Sequence, residues 1–274
     1  MSAAIVHLDE PFRRLWAGRD PFAAVEELAG EVFRELEARR TLRTEVAGRG
    51  YFVKIHRGVG WGEIAKNLFC LRLPVLGAGN EWRAIRRLEQ LGVDTMRGVA
   101  FGQCGGNPAT QHSFIVTEEL APTVSLEDYC RDWPANPPPV GMKRALLRRV
   151  ADMARRMHAG GVNHRDFYIC HFLLHLDPAP TPQNLKLSLI DLHRAQIRGR
   201  TPRRWRDKDL AALHFSALNI GLTRRDVFRF LTLYFDRPLR QVLREESRLL
   251  GRLEREAARL QVRYLRKYAK AGGQ

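Results

Sequence analysis

The spacing of apolar residues predicts that the first 120 residues form a small sheet with a helix packed on it. Apolar positions recur with helical periodicity over residues 22–38 and 80–91, which predicts a helix in each stretch. A stretch rich in glycine and tryptophan, residues 58–62, predicts a loop. The first two predicted strands form a hairpin that turns at Gly48-Arg49-Gly50. The predicted strands are residues 41–46, 51–56, 99–103 and 113–117.

Beyond residue 121 the pattern becomes mainly helical. Ser125, with Asp128 three residues later, resembles a capping box that opens a helix. Residues 142–160 have helical spacing and end at a glycine pair, which predicts a longer helix. Short strands are predicted at 172–176 and 185–190, with helices in the rest of the chain.

This change of pattern predicts two domains with an α+β fold. Residues 1–120 form the domain with the sheet, and residues 121–274 form the mainly helical domain. The hinge between them is predicted at residues 118–120.

Residues 239–270 are predicted to form one long helix with two stripes. Basic residues recur every three or four positions, about 100° around the helix from a stripe of apolar residues. One interpretation is a helix that rests on anionic lipid. The other is a packed helix with a solvated flank, for which Glu245 and Glu254 supply local ion pairs. The basic stripe consists of Arg240, Arg244, Arg248, Arg252, Arg255, Arg259, Arg263, Arg266 and Lys270.

The net charge of the chain indicates an anionic partner. Lysine and arginine total 46 and aspartate and glutamate 30, so the charge is 46 − 30 = +16. Nucleic acid, membrane lipid, a phosphorylated glycan and an acidic protein all fit that charge. A coding bias toward arginine is the alternative, because arginine far outnumbers lysine. The charge is accompanied by no recognisable nucleic-acid motif, so it does not by itself predict a nucleic-acid partner.

The cysteine pattern and the hydropathy of the chain limit the compartments in which the protein is expected. Cys70, Cys104, Cys130 and Cys170 are scattered without a Cys-x-x-Cys pair, so neither a disulfide framework nor a zinc site is expected and a reducing compartment is predicted. No apolar stretch reaches the roughly 18 residues that a membrane-spanning helix needs, and no signal peptide is expected.

Two short motifs and a lysine predict phosphoryl transfer. Lys54 lies within a predicted strand, His164-Arg165-Asp166 follows the long helix, and Asp191 comes 25 residues after Asp166 at the end of another strand. Catalysis of phosphoryl transfer depends on positioning and electrostatics. A lysine neutralises ATP phosphates, one aspartate holds Mg²⁺ and a second accepts the proton of the attacking hydroxyl.

Together with their surroundings, these motifs resemble the lipopolysaccharide core heptose(I) kinase family, in the lipopolysaccharide kinase branch of the protein-kinase-like superfamily. The resemblance implies a bilobal fold and a cytoplasmic enzyme at the cytoplasmic face of the inner membrane. It also implies ATP and Mg²⁺ as cofactors, and a heptose of the lipopolysaccharide inner core as acceptor. The segments that carry it are residues 51–58, 61–68, 74–82, 164–172 and 190–196.

The resemblance also assigns roles to individual residues. Lys54 matches the lysine that binds ATP phosphates, Asp166 the catalytic base and Asp191 the metal-binding aspartate. Asp209 matches an aspartate that braces the catalytic loop from a later helix, with a helix N-cap as the alternative.

Three further residues are assigned to the nucleotide site. Glu81 is expected to pair with Lys54, although the dipole of its helix also favours a glutamate there. Glu119 and Leu120, in the hinge, are expected to contact ATP.

The chain departs from the protein-kinase pattern around the phosphate and metal sites. Only Gly48 and Gly50 precede Lys54, in place of a longer glycine-rich loop. His171 stands where protein kinases have a metal-binding asparagine, so it either joins Asp191 at the metal or has another role.

The segment after Asp191 is short and basic. Asp209 comes 18 positions after Asp191, where protein kinases have an activation loop, so the segment is too short for a peptide platform. Arginine forks bind phosphates and sugar acids, so this segment predicts a glycan or small-molecule acceptor. A solvated basic turn is the alternative. The candidate acceptor-binding residues are Arg194, Arg198, Arg200, Arg203 and Arg204.

Three functions therefore compete at this point. The first is a glycan kinase that acts on a lipid-anchored sugar. The second is a small-molecule or protein kinase of the same fold. The third is a pseudokinase that binds partners without chemistry, which the missing glycine-rich loop and His171 favour. Lys54, Asp166 and Asp191 are all retained, which favours an active enzyme.

Overall fold

A computed structural model describes residues 4–69 and 77–271 of the chain. The chain divides into two compact units, which are described separately. Unit 1 comprises the residues up to Arg86 together with Met96–Leu120 and Leu192–Arg194. Unit 2 comprises Arg87–Thr95, Ala121–Asp191 and the residues from Ala195 onward.

Unit 1, as far as it is described, is built on a six-stranded antiparallel sheet with the strand order β1-β5-β6-β4-β3-β2. Its strands are β1 (Ile5–Leu8), β2 (Glu31–Leu36), β3 (Arg39–Val46), β4 (Arg49–His56), β5 (Gly98–Cys104) and β6 (His112–Glu118). Its helices are α1 (Phe12–Leu15), α2 (Pro21–Glu26), α3 (Gly60–Phe69) and α4 (Gly79–Gln90), the last of which continues into unit 2.

The predicted hairpin and the two later strands are confirmed, but the turn predicted at Gly48-Arg49-Gly50 is wrong because Arg49 and Gly50 already pair within β4. β3 and β4 are joined by a two-residue turn at Ala47 and Gly48, whose φ angles are +51° and +72°. Positive φ at both central residues is the pattern of a type I′ turn, whose twist matches that of the flanking strands. The register is therefore fixed along β4, the strand that carries Lys54.

Aromatic and aliphatic side chains hold α1 and α2 on one face of this sheet. Phe12 meets Tyr51 edge to face at 5.0 Å, and Trp16 meets Phe114 in the same way at 5.7 Å. All four rings are buried and belong to one core cluster. Because alternate residues of a strand face opposite sides, the face with Tyr51 is filled by core and leaves the other face for Lys54.

Two of the predicted elements in unit 1 are wrong. The helix predicted over 22–38 is the short helix α2 followed by β2, an exposed edge strand that pairs with β3. Gly30 permits this change, since a Cβ there would lie 2.0 Å from the Arg43 carbonyl oxygen. The loop predicted at 58–62 instead becomes helix from Gly60 onward. Cys70 and residues 74–76 of the family-like segments lie outside the described residues.

Unit 2 is mainly helical, with two small sheets in its described part, ordered β10-β9-β7 and β11-β8. Its strands are β7 (Thr123–Ser125), β8 (Val162–Asn163), β9 (Phe172–His175), β10 (Leu187–Leu189) and β11 (Gln196–Ile197). Its helices are α5 (Leu126–Tyr129), α6 (Val140–Ala159), α7 (Arg203–Ser216), α8 (Arg224–Phe235), α9 (Leu239–Glu245) and α10 (Ser247–Ala271).

The predicted N-cap at Ser125 and the long helix after it are both present, although the Asp128 carboxylate accepts from the Ser125 hydroxyl in place of its backbone amide. The Ser125 hydroxyl accepts a hydrogen bond from the Asp128 amide at 3.0 Å and begins α5. Helix α6 buries Leu146, Val150 and Met157 on one side, as the helical spacing predicts.

The single helix predicted over 239–270 is wrong, because the chain breaks between α9 and α10 at Glu246. The break allows both Val242 and Leu249 to be buried, and it brings Glu246 within 3.6 Å of Arg206. The basic stripe is therefore divided, with Arg240 and Arg244 on α9 and the following arginines on α10. The side chain of Lys270 lies outside the described part.

Helix α10 packs against α7, and some of its basic residues form ion pairs. Arg252 lies 3.6 Å from Asp207, and Arg259 lies 3.0 Å from Glu256. The packed interpretation of the helix therefore holds for its amino-terminal half. None of the described helices has the length and apolar character needed to cross a lipid bilayer.

The helices of unit 2 enclose an apolar cavity of about 530 Å³. Burial beside it raises the pKa of the Cys130 thiol to about 12, so this cysteine stays protonated. Cys104, Cys130 and Cys170 are free thiols, as predicted. The cavity lining includes Leu146, Leu147, Leu213, Leu231, Leu250 and Leu253.

Candidate active site

Lys54 lies on the inner strand β4 and forms an ion pair with a glutamate of α4. Its neighbours Val53 and Ile55 are fully buried in the core, so the lysine side chain leaves the opposite face of the sheet. Lys54 Nζ is 2.7 Å from Glu81 Oε1. The predicted contact between these residues is therefore present.

Glu81 is buried even though it carries a charge. Its side chain is 1% exposed and its Oε2 atom has no hydrogen-bond partner among the described residues. Its place in the first turn of α4 is favoured by the helix dipole. The next residue, Trp82, stacks on Phe101 at 5.2 Å and fixes the helix against β5. The ammonium group of Lys54 thus supplies the compensating charge that a buried carboxylate needs.

Glu119, which is predicted to lie in the hinge, has a side chain that is bound by an arginine. Both carboxylate oxygens of Glu119 accept hydrogen bonds from Arg43, at 2.8 and 2.7 Å. The Glu119 amide donates to the Gly50 carbonyl at 2.9 Å. A Cβ at Gly50 would lie 1.8 Å from the Glu119 carboxylate, so a larger residue there would displace this side chain. The Glu119 carboxylate is thus held by Arg43.

In unit 2 the His-Arg-Asp loop follows β8 and is held by Asp209 of α7. The Asp209 carboxylate accepts hydrogen bonds from the backbone amides of His164 at 2.6 Å and Arg165 at 2.9 Å. Asp209 is 1% exposed and lies within α7, not at its start. The predicted bracing role is confirmed and the N-cap alternative is wrong.

His164 is a buried structural residue of this loop. Its Nε2 donates to the carbonyl oxygen of Ile190 at 2.9 Å, directly before Asp191. Complete burial lowers the pKa of His164, so the imidazole is neutral at physiological pH. The histidine therefore links the His-Arg-Asp loop to the segment that follows β10 and contains Asp191.

The structure brings His171 and Asp191 together. His171 Nδ1 donates to the Asp166 carbonyl at 2.6 Å, so Nε2 is the ring nitrogen that faces away from this bond. That Nε2 atom lies 3.6 Å from Asp191 Oδ2. Both groups are partly exposed, at 19% for His171 and 32% for Asp191. A ring nitrogen beside a carboxylate has the chemistry of a pair of metal ligands.

Two residues of the site have backbone conformations that L-amino acids rarely adopt. The φ angle is +75° at Arg165 and +64° at Asp191. Such conformations cost about 1–3 kcal/mol each and persist where surrounding contacts enforce them. The bond from the Arg165 amide to Asp209 is one such contact.

The donor set suits a weakly held magnesium ion better than a structural metal. Among the residues that the structure describes, no group of three or more His, Cys, Asp or Glu side chains is arranged to hold a metal. Mg²⁺ retains several waters and is commonly bound by one or two carboxylates together with substrate phosphates. The partly exposed Asp191 carboxylate fits this pattern.

The predicted acceptor-binding arginines do not form one cluster. Arg198 and Arg204 both lie against the ring of Trp205, at 5.9 and 4.6 Å from its centroid. Arg200 and Arg203 are exposed on either side of the start of α7. Arg194 belongs to unit 1, whereas the other candidates belong to unit 2.

Sequence reasoning missed three residues around the catalytic loop. His158 lies 3.2 Å from Asp209 and 2.8 Å from the Tyr234 hydroxyl, so it forms a buried polar chain behind the loop. Burial raises the pKa of Tyr234, which stays protonated. Trp205 is the third, and the run Arg203-Arg204-Trp205-Arg206 was its only signal in the sequence.

Comparison with known proteins agrees with this arrangement. Residues 23–234 match the model of the "Lipopolysaccharide kinase (Kdo/WaaP) family". The chain is 66% identical to the lipopolysaccharide core heptose(I) kinase WaaP of Pseudomonas aeruginosa, over 92% of this chain and 94% of the relative. It is 60% identical to the WaaP kinase of Escherichia coli, over 96% and 99% respectively.

A solved structure is also similar over most of its length. The structure described as "WaaP in complex with acyl carrier protein" has a TM-score of 0.84 and 60% identity, and covers 93% of this chain and 99% of that one. The fold and the paired charged residues are those of a protein-kinase-like phosphotransferase. The chain belongs to the lipopolysaccharide kinase (Kdo/WaaP) family, and the predictions of an α+β kinase-like fold and of a kinase in this family are confirmed.

Proposed function

We propose that this protein transfers the γ-phosphoryl group of ATP to a hydroxyl of a heptose in the lipopolysaccharide inner core. The observation that carries the proposal is the Lys54–Glu81 ion pair at 2.7 Å, beside the family membership of the chain. A binding module without chemistry would have no need of a lysine held by a buried carboxylate. The choice of heptose as acceptor rests on the similar proteins that are named heptose(I) kinases.

Each charged residue has a distinct part in the proposed reaction. Lys54 binds the phosphates of ATP, and the backbone at Glu119 and Leu120 holds the adenine. Asp191 and His171 would hold Mg²⁺, which would supply positive charge that screens the phosphates. Asp166 orients the acceptor hydroxyl and accepts its proton as the new oxygen–phosphorus bond forms. Asp209 keeps the loop with Asp166 in position through two backbone hydrogen bonds.

Mass spectrometry of the lipopolysaccharide core tests this proposal. The purified protein is incubated with ATP, Mg²⁺ and core that lacks phosphate on heptose. The wild-type protein adds the mass of one phosphate to the sugar. Asp166→Asn lowers the rate by about 10²–10⁴ because the general base is lost. Asp132→Asn, an exposed aspartate outside the site, is the matched control and retains the wild-type rate.

The other outcomes of this experiment identify the competing functions. Phosphate found on protein but not on sugar supports a protein kinase. The absence of phosphate from every product, with ATP still bound, supports a pseudokinase. A normal rate for Asp166→Asn contradicts the assignment of the base.

We also propose that the enzyme works at the cytoplasmic face of the inner membrane, where a lipid-anchored core is accessible. Exposed arginines on α10, such as Arg255 and Arg259, provide charge toward anionic headgroups. Each basic side chain near such a surface contributes about 1 kcal/mol. Sedimentation with vesicles that contain anionic lipid, compared with neutral vesicles, tests this location. Equal binding to the two kinds of vesicle contradicts it.

An acidic protein of the acyl carrier type is the proposed protein partner. The solved relative in complex with acyl carrier protein supports this, as does the net charge of +16. The cavity of about 530 Å³ in unit 2 has the apolar lining that a hydrocarbon chain requires. Leu147→Trp, which fills part of the cavity, is expected to weaken the complex with an acylated carrier more than with the carrier alone. Equal weakening of both contradicts a role for the cavity.

A further inference from the structure

Trp205 lies at the centre of a group of positive charges beside the catalytic loop. Among the described residues, four cationic side chains lie over its ring, within 5.9 Å of the centroid. The distances are 5.8 Å for Arg165, 5.9 Å for Arg198, 4.6 Å for Arg204 and 4.9 Å for Lys208. We call these five residues the Trp205 cluster. A cation over an indole ring is attracted by the negative charge of the ring face, so the indole holds these groups in place.

The cluster draws its charges from three separate segments of unit 2. Arg165 comes from the catalytic loop, Arg198 follows β11, and Arg204 and Lys208 lie on α7. A chain that only needed a solvated basic turn would have no reason to bring distant cations to one ring. Their convergence is therefore a property of the folded structure, not of the arginine content.

Among the described residues, three cations of the cluster, Arg198, Arg204 and Lys208, have no carboxylate as a partner. The Arg198 guanidinium donates to Asn163 Oδ1 and Gln196 Oε1, each at 2.7 Å, and both acceptors are neutral amides. These bonds fix the side chain without cancelling its charge. Within the described part of the chain, neither Arg204 nor Lys208 forms an ion pair with a carboxylate. The acidic residue nearest in sequence to Arg204, Asp207, instead pairs with Arg206 and Arg252.

The start of α7 adds to this electrostatic cost. Its first turn contains Arg203, Arg204 and Arg206 and no acidic residue. Positive side chains in a first helical turn are unfavourable, because the amide groups there already present partial positive charge. A bound anion offsets both the repulsion between the cations and the charge of the helix end.

Backbone contacts tie the cluster to the catalytic base. β11 pairs with β8 through Gln196–Asn163 and Ile197–Val162, and β8 leads directly into the loop. The Arg198 amide donates to the Gly161 carbonyl at 2.9 Å. Arg165 is also the residue before Asp166. An acid group held by the cluster would thus be positioned relative to the base.

We propose that the Trp205 cluster is a subsite for an acid group, carboxylate or phosphate, on the glycan acceptor, with Trp205 as the positioning residue that arranges its cations. This inference rests on the proposed function, since it concerns the acceptor of that reaction. It makes an acidic substituent near the reacting hydroxyl a determinant of specificity. Trp205 acts through the cations and does not take part in the chemistry.

The test compares acceptors as well as enzymes. One core sample is left intact, a second has its carboxyl groups reduced to alcohols, and a third has its existing phosphates removed. KM for the acceptor, KM for ATP and kcat are measured with wild type, Trp205→Leu and Trp205→Phe. Calorimetric binding of each core in the absence of ATP is a second readout. Arg131→Gln, an exposed arginine outside the cluster, is the charge control.

With wild type, removal of the recognised acid group is expected to raise acceptor KM about tenfold, as for loss of a charge-assisted hydrogen bond. Whichever treated core shows the effect identifies carboxylate or phosphate as the source. Trp205→Leu is expected to raise acceptor KM by a similar factor for the intact core, with kcat and ATP KM nearly unchanged and no further loss on the treated core. Trp205→Phe retains a π face and restores most of the affinity.

Several outcomes overturn the inference. Unchanged acceptor KM in Trp205→Leu overturns it, as does a loss that is equal on intact and treated cores. If Trp205→Leu does not fold, Arg204→Gln and Lys208→Gln replace it, since both side chains are exposed. If wild type phosphorylates none of the cores, the proposed function fails. The calorimetric comparison then decides the subsite alone, and equal binding of intact and treated cores rejects it.

Discussion

The Lys54–Glu81 ion pair shows how one residue depends on another inside the fold. Glu81 has almost no contact with solvent, and its second oxygen finds no partner in the described structure. A buried charge that loses its counter-charge keeps its desolvation cost without the compensating attraction. The pair therefore supports both the stability of unit 1 and the position of the lysine.

Lys54→Met is expected to destabilise the protein by about 3 kcal/mol, because it leaves the Glu81 carboxylate buried and uncompensated. The measurement is urea unfolding at pH 7.5. Glu81→Gln keeps the shape but removes the charge, so it is expected to cost less stability and to lower kcat by releasing the lysine. Arg131→Gln, which breaks an exposed pair, should leave the unfolding curve unchanged. Wild-type stability in Lys54→Met would contradict the compensation argument.

Asp209 leads to a prediction that separates position from chemistry. Asp209→Ala removes the acceptor of two buried backbone amides, and each unsatisfied group costs about 1–3 kcal/mol. We therefore expect lower stability and a large loss of kcat, even though Asp166 is intact. Asp209→Asn keeps one acceptor oxygen, so its stability and kcat should lie between those of wild type and Asp209→Ala. Urea unfolding and steady-state kinetics measure both effects. Loss of activity with wild-type stability would indicate a direct catalytic part instead.

The candidate site could be predicted where chemistry is local in sequence. Asp166, Asp191 and Lys54 stand in short motifs with apolar neighbours, so the sequence alone marks them as candidates. Trp205 could not be found in this way, because its partners come from three segments that meet only in the fold. His158 could not be found either, because a histidine within a helical apolar pattern is interpreted as an ordinary core residue.

At the scale of elements, prediction succeeded for the hairpin β3–β4 and failed for its neighbour β2. The residues of β2 are all exposed, so no buried face imposes a period of two on them. Val32, Phe33 and Leu36 therefore fit a helical spacing as well as a strand. Pairing with β3 decided the outcome, and that pairing is a tertiary contact. The same applies to α9 and α10, where burial of Leu249 requires a break that the uninterrupted helical pattern does not reveal.

Helix α10 permits a direct test of its packing against α7. Leu249 is 2% exposed, so Leu249→Ala is expected to destabilise the protein by about 2–5 kcal/mol through lost burial and a residual cavity. Arg259→Gln changes an exposed residue of the same helix and should have little effect. Urea unfolding of both variants measures the difference. Equal stability of the two would mean that α10 does not contribute to the core.

For the whole molecule, buried histidines determine how stability responds to acid. Burial lowers the pKa of His56 to about 3, and it also lowers the pKa of His164 and His214. An unfolded chain has a histidine pKa of about 6.5, so between the two values it binds protons that the folded state does not. For His56 the stabilisation is complete above pH 6.5 and is lost as pH falls toward 3, at about 1.4 kcal/mol per pH unit, and His164 and His214 act in the same direction.

His56→Gln is therefore expected to make stability less dependent on pH. The free energy of unfolding is measured at pH 7.5, 6.0 and 5.0 for wild type and variant. Below pH 6.5 the slope of the variant should be smaller by about 1.4 kcal/mol per pH unit, whatever its absolute stability. An identical slope would show that His56 is protonated in the folded protein.

The short ribbon of β8 and β11 has a consequence for how acceptor preference can evolve. Gly161 has φ of +84°, and a Cβ there would lie 1.9 Å from the Arg198 carbonyl oxygen, so the backbone path is tightly restricted. Insertions or deletions in this ribbon would displace both the cationic side chains of the Trp205 cluster and the proposed base, Asp166. Substitution of side chains at the ends of the ribbon leaves the backbone path of β8 and β11 unchanged. Directed libraries that seek new sugar substrates should therefore randomise side chains around Trp205 and keep segment lengths fixed.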